Sequence, residues 1–124
     1  MLIQDDAVLL VWHTYRPGWF FPGGGLKRGE SFADAARREA REEVGATLGE
    51  LRFWGLYTYL SEYKSDHVVM FLCEDFQLNG QTDFEIAACQ YFPLTALPPD
   101  VSEGMKRHIQ EYLQGDHQPT IEAH

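Results

Sequence analysis

Residues 24–46 read GGLKRGESFADAARREAREEVGA, and this stretch decides the local fold around it. Ser31 is a natural helix N-cap, and Asp34 three positions later completes an acidic version of the capping box. The residues that follow are mostly Ala, Arg and Glu, which are good helix formers. Gly45 supplies a C-terminal stop. The pattern therefore predicts a helix over residues 31–44.

The acidic residues of this helix are not all on its charged side. Each residue advances by about 100°, which places four apolar residues in one inward sector: Phe32, Ala36, Ala40 and Val44. By the same step Glu39 and Glu43 lie at the margin of this sector, with Glu42 beside them. Three carboxylates therefore converge near the negative end of the helix dipole, which is an unfavourable place for anions.

Two interpretations of the carboxylates stay open at this point. A solvated helix face with ion pairs, such as Arg38 with Glu42, is the commoner outcome for such a segment. Against it, carboxylates on an inward face are costly unless a cation or hydrogen bonds compensate them. Several carboxylate oxygens suit a hard cation such as Mg²⁺ or Mn²⁺.

Strands and one more helix are predicted elsewhere. Apolar, aromatic and β-branched runs predict strands over residues 7–12, 19–21, 52–60, 67–76 and 86–92. Residues 102–113 predict a second helix with an apolar stripe. The polar stretch 115–124 predicts a flexible tail. Mixed strands with two well-separated helices predict an α/β or α+β sandwich.

Composition limits the function. A chain of 124 residues predicts a single domain over 1–124. The net charge of −9 argues against a long nucleic acid partner, because a phosphate backbone needs a basic stripe. No run is long and apolar enough for a membrane span, and no signal peptide is visible, so a cytoplasmic location is expected. The isolated Cys73 and Cys89 predict reduced thiols.

The stretch 24–46 resembles the signature of the Nudix family. Seven of its positions match in register: Gly24, Glu30, Arg38, Glu39, Glu42, Glu43 and Gly45. Ala40 and Ala46 depart from it, because they occupy aliphatic positions with a smaller side chain. The resemblance continues through VLLVWHTYRPGWFFPGGG and the later residues Glu85, YFPL and Leu-Pro, and so covers residues 7–99. It implies a Nudix-type α/β/α sandwich with a mixed sheet between helices.

The resemblance also implies roles for residues of the chain. Glu39, Glu42 and Glu43 would hold Mg²⁺, or Mn²⁺, together with the backbone carbonyl of Gly23. Arg38 would orient a carboxylate, and Glu30 would support the junction of loop and helix. The general base would be one of the helix glutamates or Glu85.

The glycine run before the helix would bring backbone close to phosphates, at Gly24 and Gly25. Arg16 and Arg28 flank this run and are candidate phosphate contacts, although each could equally be ordinary surface charge. Trp12 stands where many relatives carry a basic residue, and core packing is its more common role. Tyr63 falls where some diadenosine polyphosphate hydrolases of the family carry a tyrosine. A tyrosine at this position is more often a coincidence than a sign of that activity.

The predicted function is hydrolysis of a phosphoanhydride bond in a nucleoside diphosphate linked to another moiety. The candidates are a nucleoside triphosphate, a dinucleoside polyphosphate and a nucleotide sugar. The alternative is a catalytically idle module that senses a nucleotide on the same scaffold, since fold alone does not determine function. Only residues 1–3 stand where the family has a full first strand. A late start of the chain, a short sheet or a covering partner in a homodimer would each explain this.

Overall fold

The computed structural model describes residues 1–60 and 65–123. Across them the chain forms two helices, α1 (Phe32–Val44) and α2 (Glu103–Gln114). The strands in chain order are β1 (Ile3–Gln4), β2 (Ala7–His13), β3 (Trp19–Phe20), β4 (Ala46–Leu48), β5 (Arg52–Leu60), β6 (Ser65–Leu72), β7 (Phe76–Leu78), β8 (Ile86–Pro93) and β9 (Thr120–Ala123). The Tyr63 prediction lies outside the described residues.

Helix α1 begins and ends at the capping residues that the sequence predicts. The Ser31 side chain accepts a hydrogen bond from the Asp34 amide at 3.0 Å, and the Asp34 carboxylate accepts one from the Ser31 amide at 3.3 Å. Gly45 ends the helix in the left-handed conformation, with φ of 66°. The predicted helix over residues 31–44 is therefore confirmed. Its first turn differs, because Phe32 is 56% exposed and Ala35 is buried in its place.

Strand β2 lies at the centre of the fold. It pairs antiparallel with β1 and β3 along one edge and with β8 along the other. Val8 and Leu10 point into one core, which α2 covers, whereas Leu9 and Val11 point into a second core, which α1 covers. Because both faces of β2 are buried, its sequence is a continuous apolar run rather than an alternating one. The two helices cover opposite faces, which confirms the predicted α/β sandwich.

Two smaller sheets complete the structure. Strand β5 pairs antiparallel with β6 and parallel with β9, so this sheet is mixed. Strands β4 and β7 form an antiparallel pair. The single strand predicted over residues 67–76 is in fact β6 and the start of β7, and β4 was not predicted. Both cysteines are free, with Cys73 buried and Cys89 half-buried.

Residues of the predicted tail, 115–124, contact the rest of the fold at His117 and along β9. The His117 ring stacks on Trp54 at 3.7 Å between centroids, and its Nε2 lies 2.8 Å from the Trp54 carbonyl oxygen. Strand β9 then continues along β5. The unpaired edge of β5 supplies backbone partners to a polar segment that has no core of its own to join.

The beginning of the chain forms only a short strand. Ile3 pairs with Val8, and Leu2 bridges to Cys73 in a parallel sense. The Met1 ammonium group donates to the Phe71 carbonyl oxygen at 2.6 Å, and its burial lowers the amino pKa to about 5. A homodimer stays a prediction. Within the described ranges, neither helix is long and apolar enough to cross a bilayer.

Candidate active site

Glu43 is the most unusual carboxylate of α1, because it is only 9% exposed. Its Oε2 accepts a hydrogen bond from the Gly23 amide at 3.2 Å. This bond joins the helix to the glycine loop, which is residues 22–25. Burial, and then the negative charges of Glu39 and Asp83, raise the pKa of Glu43 to about 7, against the opposing effects of the Gly23 amide and Arg16. A charged Glu43 is therefore poorly compensated by the protein itself.

Glu39 lies directly against the same loop. A Cβ atom added to Gly24 would lie 2.4 Å from the Glu39 carboxyl carbon, and both carboxylate oxygens would be 2.6 Å away. Only glycine therefore fits at position 24 while Glu39 keeps this position. The glycine loop and two of the three predicted ligands are brought together.

Arg38 fixes the other side of the carboxylate group. Its guanidinium binds Glu30 at 2.7 Å and Glu39 at 2.7 Å, and reaches Glu42 at 3.2 Å. It also donates to the Gly25 carbonyl oxygen at 2.8 Å, while Glu30 accepts from the Lys27 amide at 2.8 Å. The Arg38 hydrogen bond lowers the pKa of Glu30, and its acidic partners raise the pKa of Arg38. This network ties the loop after Gly23 to the helix.

Glu42 stands apart from the other two carboxylates. Its side chain is 46% exposed and contacts Arg38 rather than the glycine loop. Nowhere in residues 1–60 and 65–123 do three or more His, Cys, Asp or Glu side chains form a group arranged to hold a metal ion. The three predicted ligands thus share one helix but do not converge in this structure.

The chemistry of the donor set nevertheless fits a hard divalent cation. Glu39 and Glu43 present carboxylate oxygens, the ligand type that Mg²⁺ and Mn²⁺ prefer. Burial and then repulsion from Glu39 raise the pKa of Glu43, and a positive charge between these two carboxylates would relieve the repulsion. It is the Gly23 amide, not its carbonyl, that faces Glu43 here.

The two flanking cations differ, because Arg16 interacts electrostatically with Glu43, whereas Arg28 has no such contact within the described part of the chain. The positive charge of Arg16 acts on Glu43, and its Nε donates to His13 Nδ1 at 3.4 Å. Its guanidinium carbon lies 3.8 Å from the centre of the Phe20 ring. Arg28 is exposed.

The segment before β8 approaches the end of α1 through its backbone. The Asp83 amide donates to the Glu43 carbonyl oxygen at 3.4 Å, and the Thr14 amide donates to the Glu85 carbonyl oxygen at 2.9 Å. The Glu85 side chain is exposed. Trp12 is half-buried, and its ring packs edge-on against Trp19 at 5.4 Å.

Sequence reasoning missed Asp83 and His13. Asp83 belongs to an irregular polar segment that no spacing rule connects to α1. His13 lies just after the strand predicted over residues 7–12, although it ends β2 in the structure, and its lack of ligand spacing gave no reason to single it out. A cleft of about 370 Å³ lies elsewhere, between β5 and α2 around Trp54 and Tyr112, and shares no residue with the glycine loop.

Comparison with known proteins agrees with this arrangement. The NUDIX domain family matches residues 1–112. The uncharacterized Nudix hydrolase YvcI of Bacillus subtilis is 38% identical over 69 residues, which are 56% of this chain and 43% of YvcI. The 8-oxo-dGTP diphosphatase of Buchnera aphidicola is 31% identical over 72 residues, which are 57% of this chain and 58% of that protein. The chain thus spans about half the length of these curated relatives.

A solved structure shows the same fold. The MutT protein of Bacillus halodurans superposes with a TM-score of 0.78, at 21% identity, over 98% of this chain and 85% of that one. At this identity the likeness concerns the fold alone. Together with the family match over most of the chain, it agrees with the interpretation of residues 24–46 as a Nudix signature. The chain belongs to the Nudix family, as the signature in residues 24–46 predicts.

Proposed function

We propose that the protein hydrolyses a phosphoanhydride bond in a nucleoside diphosphate linked to another moiety, with a divalent metal ion. One observation carries this proposal. The buried carboxylate of Glu43 accepts from the Gly23 amide and the carboxylate of Glu39 lies against Gly24, while the space beside Gly25 is open. A purely structural helix would have little reason to bury an acid whose ionisation the fold opposes.

In the proposed site, Glu39, Glu42 and Glu43 hold Mg²⁺ or Mn²⁺, with the Gly23 carbonyl as a further ligand. Such an ion, when bound, neutralises phosphate charge and lowers the pKa of water. Glu42 must turn from Arg38 to take part, which its half-exposed side chain permits. Arg38 holds Glu39 in place while its contacts with Glu30 and the Gly25 carbonyl fix the loop.

The remaining roles concern substrate and proton transfer. Arg16 is the better placed of the two candidate phosphate contacts, because its charge already acts on Glu43. Arg28 follows the same loop in the sequence, and Gly24 and Gly25 contribute its backbone amides. A helix glutamate or Glu85 takes the proton of the attacking water. Glu85 is exposed and would have to approach when substrate binds.

The substrate is proposed only as a class. Nucleoside triphosphates, dinucleoside polyphosphates and nucleotide sugars all contain the required bond. The similarity to an 8-oxo-dGTP diphosphatase makes oxidised nucleoside triphosphates a sensible part of the test.

The test is a panel of these nucleotides assayed with Mg²⁺ and with Mn²⁺, identifying both products of each reaction. Turnover should be lost in EDTA, and Glu43→Gln should lose most of it. Glu103→Gln, whose side chain is 91% exposed on α2, is the matched charge control and should retain turnover. If the folded protein binds nucleotides but turns over none of the panel, the sensing alternative replaces the proposal. Nearly intact turnover by Glu43→Gln would remove Glu43 from the metal site.

A further inference from the structure

Arg16 is held in place by aromatic rings as well as by charge. Its guanidinium carbon lies 3.8 Å from the centre of the Phe20 ring and 5.7 Å from that of Tyr15. Both distances are within the range of a cation–π contact. An arginine in an exposed turn would otherwise sample many rotamers. Because these rings already restrict the Arg16 side chain, it loses less conformational entropy when a ligand binds.

His13 adds a hydrogen bond that orients the Arg16 guanidinium. The register of β2 against β8 shifts between Trp12 and His13, and such bulges redirect side chains. His13 is only 3% exposed, and its ring packs at 5.0 Å from the Tyr15 ring and 5.6 Å from the Phe20 ring. Its Nδ1 accepts the Arg16 Nε–H at 3.4 Å.

The protonation state of His13 agrees with this acceptor role. Burial, and then the positive charge of Arg16, lower the pKa of His13, so the ring is neutral at neutral pH. A neutral imidazole that accepts at Nδ1 carries its proton on Nε2. The contact therefore requires one tautomer of His13.

The outer end of the Arg16 guanidinium is unused by the protein. Among the described residues, neither of its two terminal amino groups makes a hydrogen bond or ion pair; Arg16 contacts His13 through Nε and the rings of Tyr15 and Phe20 through its guanidinium. A guanidinium held through Nε and one ring face keeps these two donors in the geometry that suits a phosphate.

We propose that His13 is a positioning residue, which together with Phe20 fixes the Arg16 guanidinium so that its terminal amino groups bind the substrate diphosphate beside Glu43. This inference rests on the proposed function and adds to it the residue that orders the phosphate contact. The two candidate cations then differ in kind, because no aromatic or histidine partner holds Arg28 within the described residues.

The test uses the full chain with Mg²⁺ and the non-hydrolysable probe imidodiphosphate, whose binding is measured by calorimetry. Arg16→Gln and His13→Phe should each weaken binding about tenfold, as expected for loss of one hydrogen bond to a charged group. His13→Asn keeps an acceptor near the Nδ1 position and should stay within about threefold of the original protein. The double variant His13→Phe/Arg16→Gln should bind no worse than Arg16→Gln alone, because His13 acts through Arg16. Lys106→Gln is the charge control on α2.

Two further measurements do not depend on binding. Two-bond ¹H–¹⁵N spectra of the original protein should show His13 protonated at Nε2 and not at Nδ1. On any substrate that the nucleotide panel identifies, His13→Phe should raise KM more than it lowers kcat. If His13→Phe fails to fold, Phe20→Leu removes the ring beneath the guanidinium and should weaken imidodiphosphate binding in its place.

The outcomes separate the two proposals. If the original protein neither binds imidodiphosphate nor turns over any nucleotide, the proposed function is wrong and the inference falls with it. If the original protein binds while His13→Phe binds equally well, the inference alone is overturned. Additive losses in the double variant, or a proton on His13 Nδ1, would also overturn it and leave the proposed function standing.

Discussion

Replacing Glu43 with glutamine should stabilise the metal-free protein while it removes activity. The carboxylate is buried, and its nearest charged neighbours include Glu39 and Asp83, so ionisation of Glu43 opposes folding. Glutamine has nearly the same shape, and its carbonyl oxygen can still accept the Gly23 amide. The variant therefore removes the charge and keeps the packing.

The size of the effect follows from the pKa of Glu43, which rises from an ordinary 4.5 to about 7 on folding. Between these values the folded protein binds more protons than the unfolded chain, so its stability falls as the pH rises through this window. Above about pH 7 the full penalty applies. Each pKa unit corresponds to about 1.4 kcal/mol, which gives roughly 3 kcal/mol for Glu43.

The assay is thermal unfolding in EDTA at pH 8 and at pH 4.5. At pH 8 the Tm of Glu43→Gln should exceed that of the original protein by on the order of 10 °C, and at pH 4.5 the difference should nearly vanish. Glu42→Gln is the matched control on the same helix, because its half-exposed carboxylate should change stability by less than about 1 kcal/mol. Saturating Mg²⁺, at about a hundred times its Kd, should restore about 2.7 kcal/mol to the original protein and less to Glu43→Gln. An equal or lower Tm for Glu43→Gln at pH 8 would refute the reasoning from burial and repulsion.

Two further predictions concern the loop and the C-terminal segment. Gly24→Ala should lower kcat/KM at least tenfold with little change in Tm, because its Cβ would displace the Glu39 carboxylate. Gly104→Ala on α2 is the control. Normal activity of Gly24→Ala would contradict the contact between Gly24 and Glu39. Deleting residues 115–124 should lower the free energy of unfolding by about 2 kcal/mol, from the lost stacking and hydrogen bond at Trp54, each contributing roughly 1 kcal/mol. Denaturant titration measures this, and unchanged stability would mean that the segment is not bound to β5.

Local rules predicted α1 well and failed for contacts between distant segments. Ser31 and Gly45 mark the ends of α1 through bonds within a few residues, so sequence spacing alone is sufficient. The pairing of β9 with β5 joins segments about 65 residues apart, and a polar sequence carries no sign of it. The burial of Glu43 was predictable from the helical period, whereas the positions of Asp83 and His13 depend on how loops meet the end of β2 and α1.

The instability of the carboxylate group bears on how the site is organised. Arg38 compensates Glu39 and Glu30 closely, whereas the cationic charge that acts on Glu43 is that of Arg16, which His13 and Phe20 hold through its Nε and one face of the guanidinium. The chain thus neutralises one side of the group and leaves the side at Gly23 electrostatically unsatisfied. If the uncompensated charge of Glu43 serves cation binding, a bound cation should relieve it. A salt bridge from the protein to Glu43 would remove the need for that cation. The prediction for Glu43→Gln therefore tests stability and function with one substitution, because activity and the penalty on folding should disappear together.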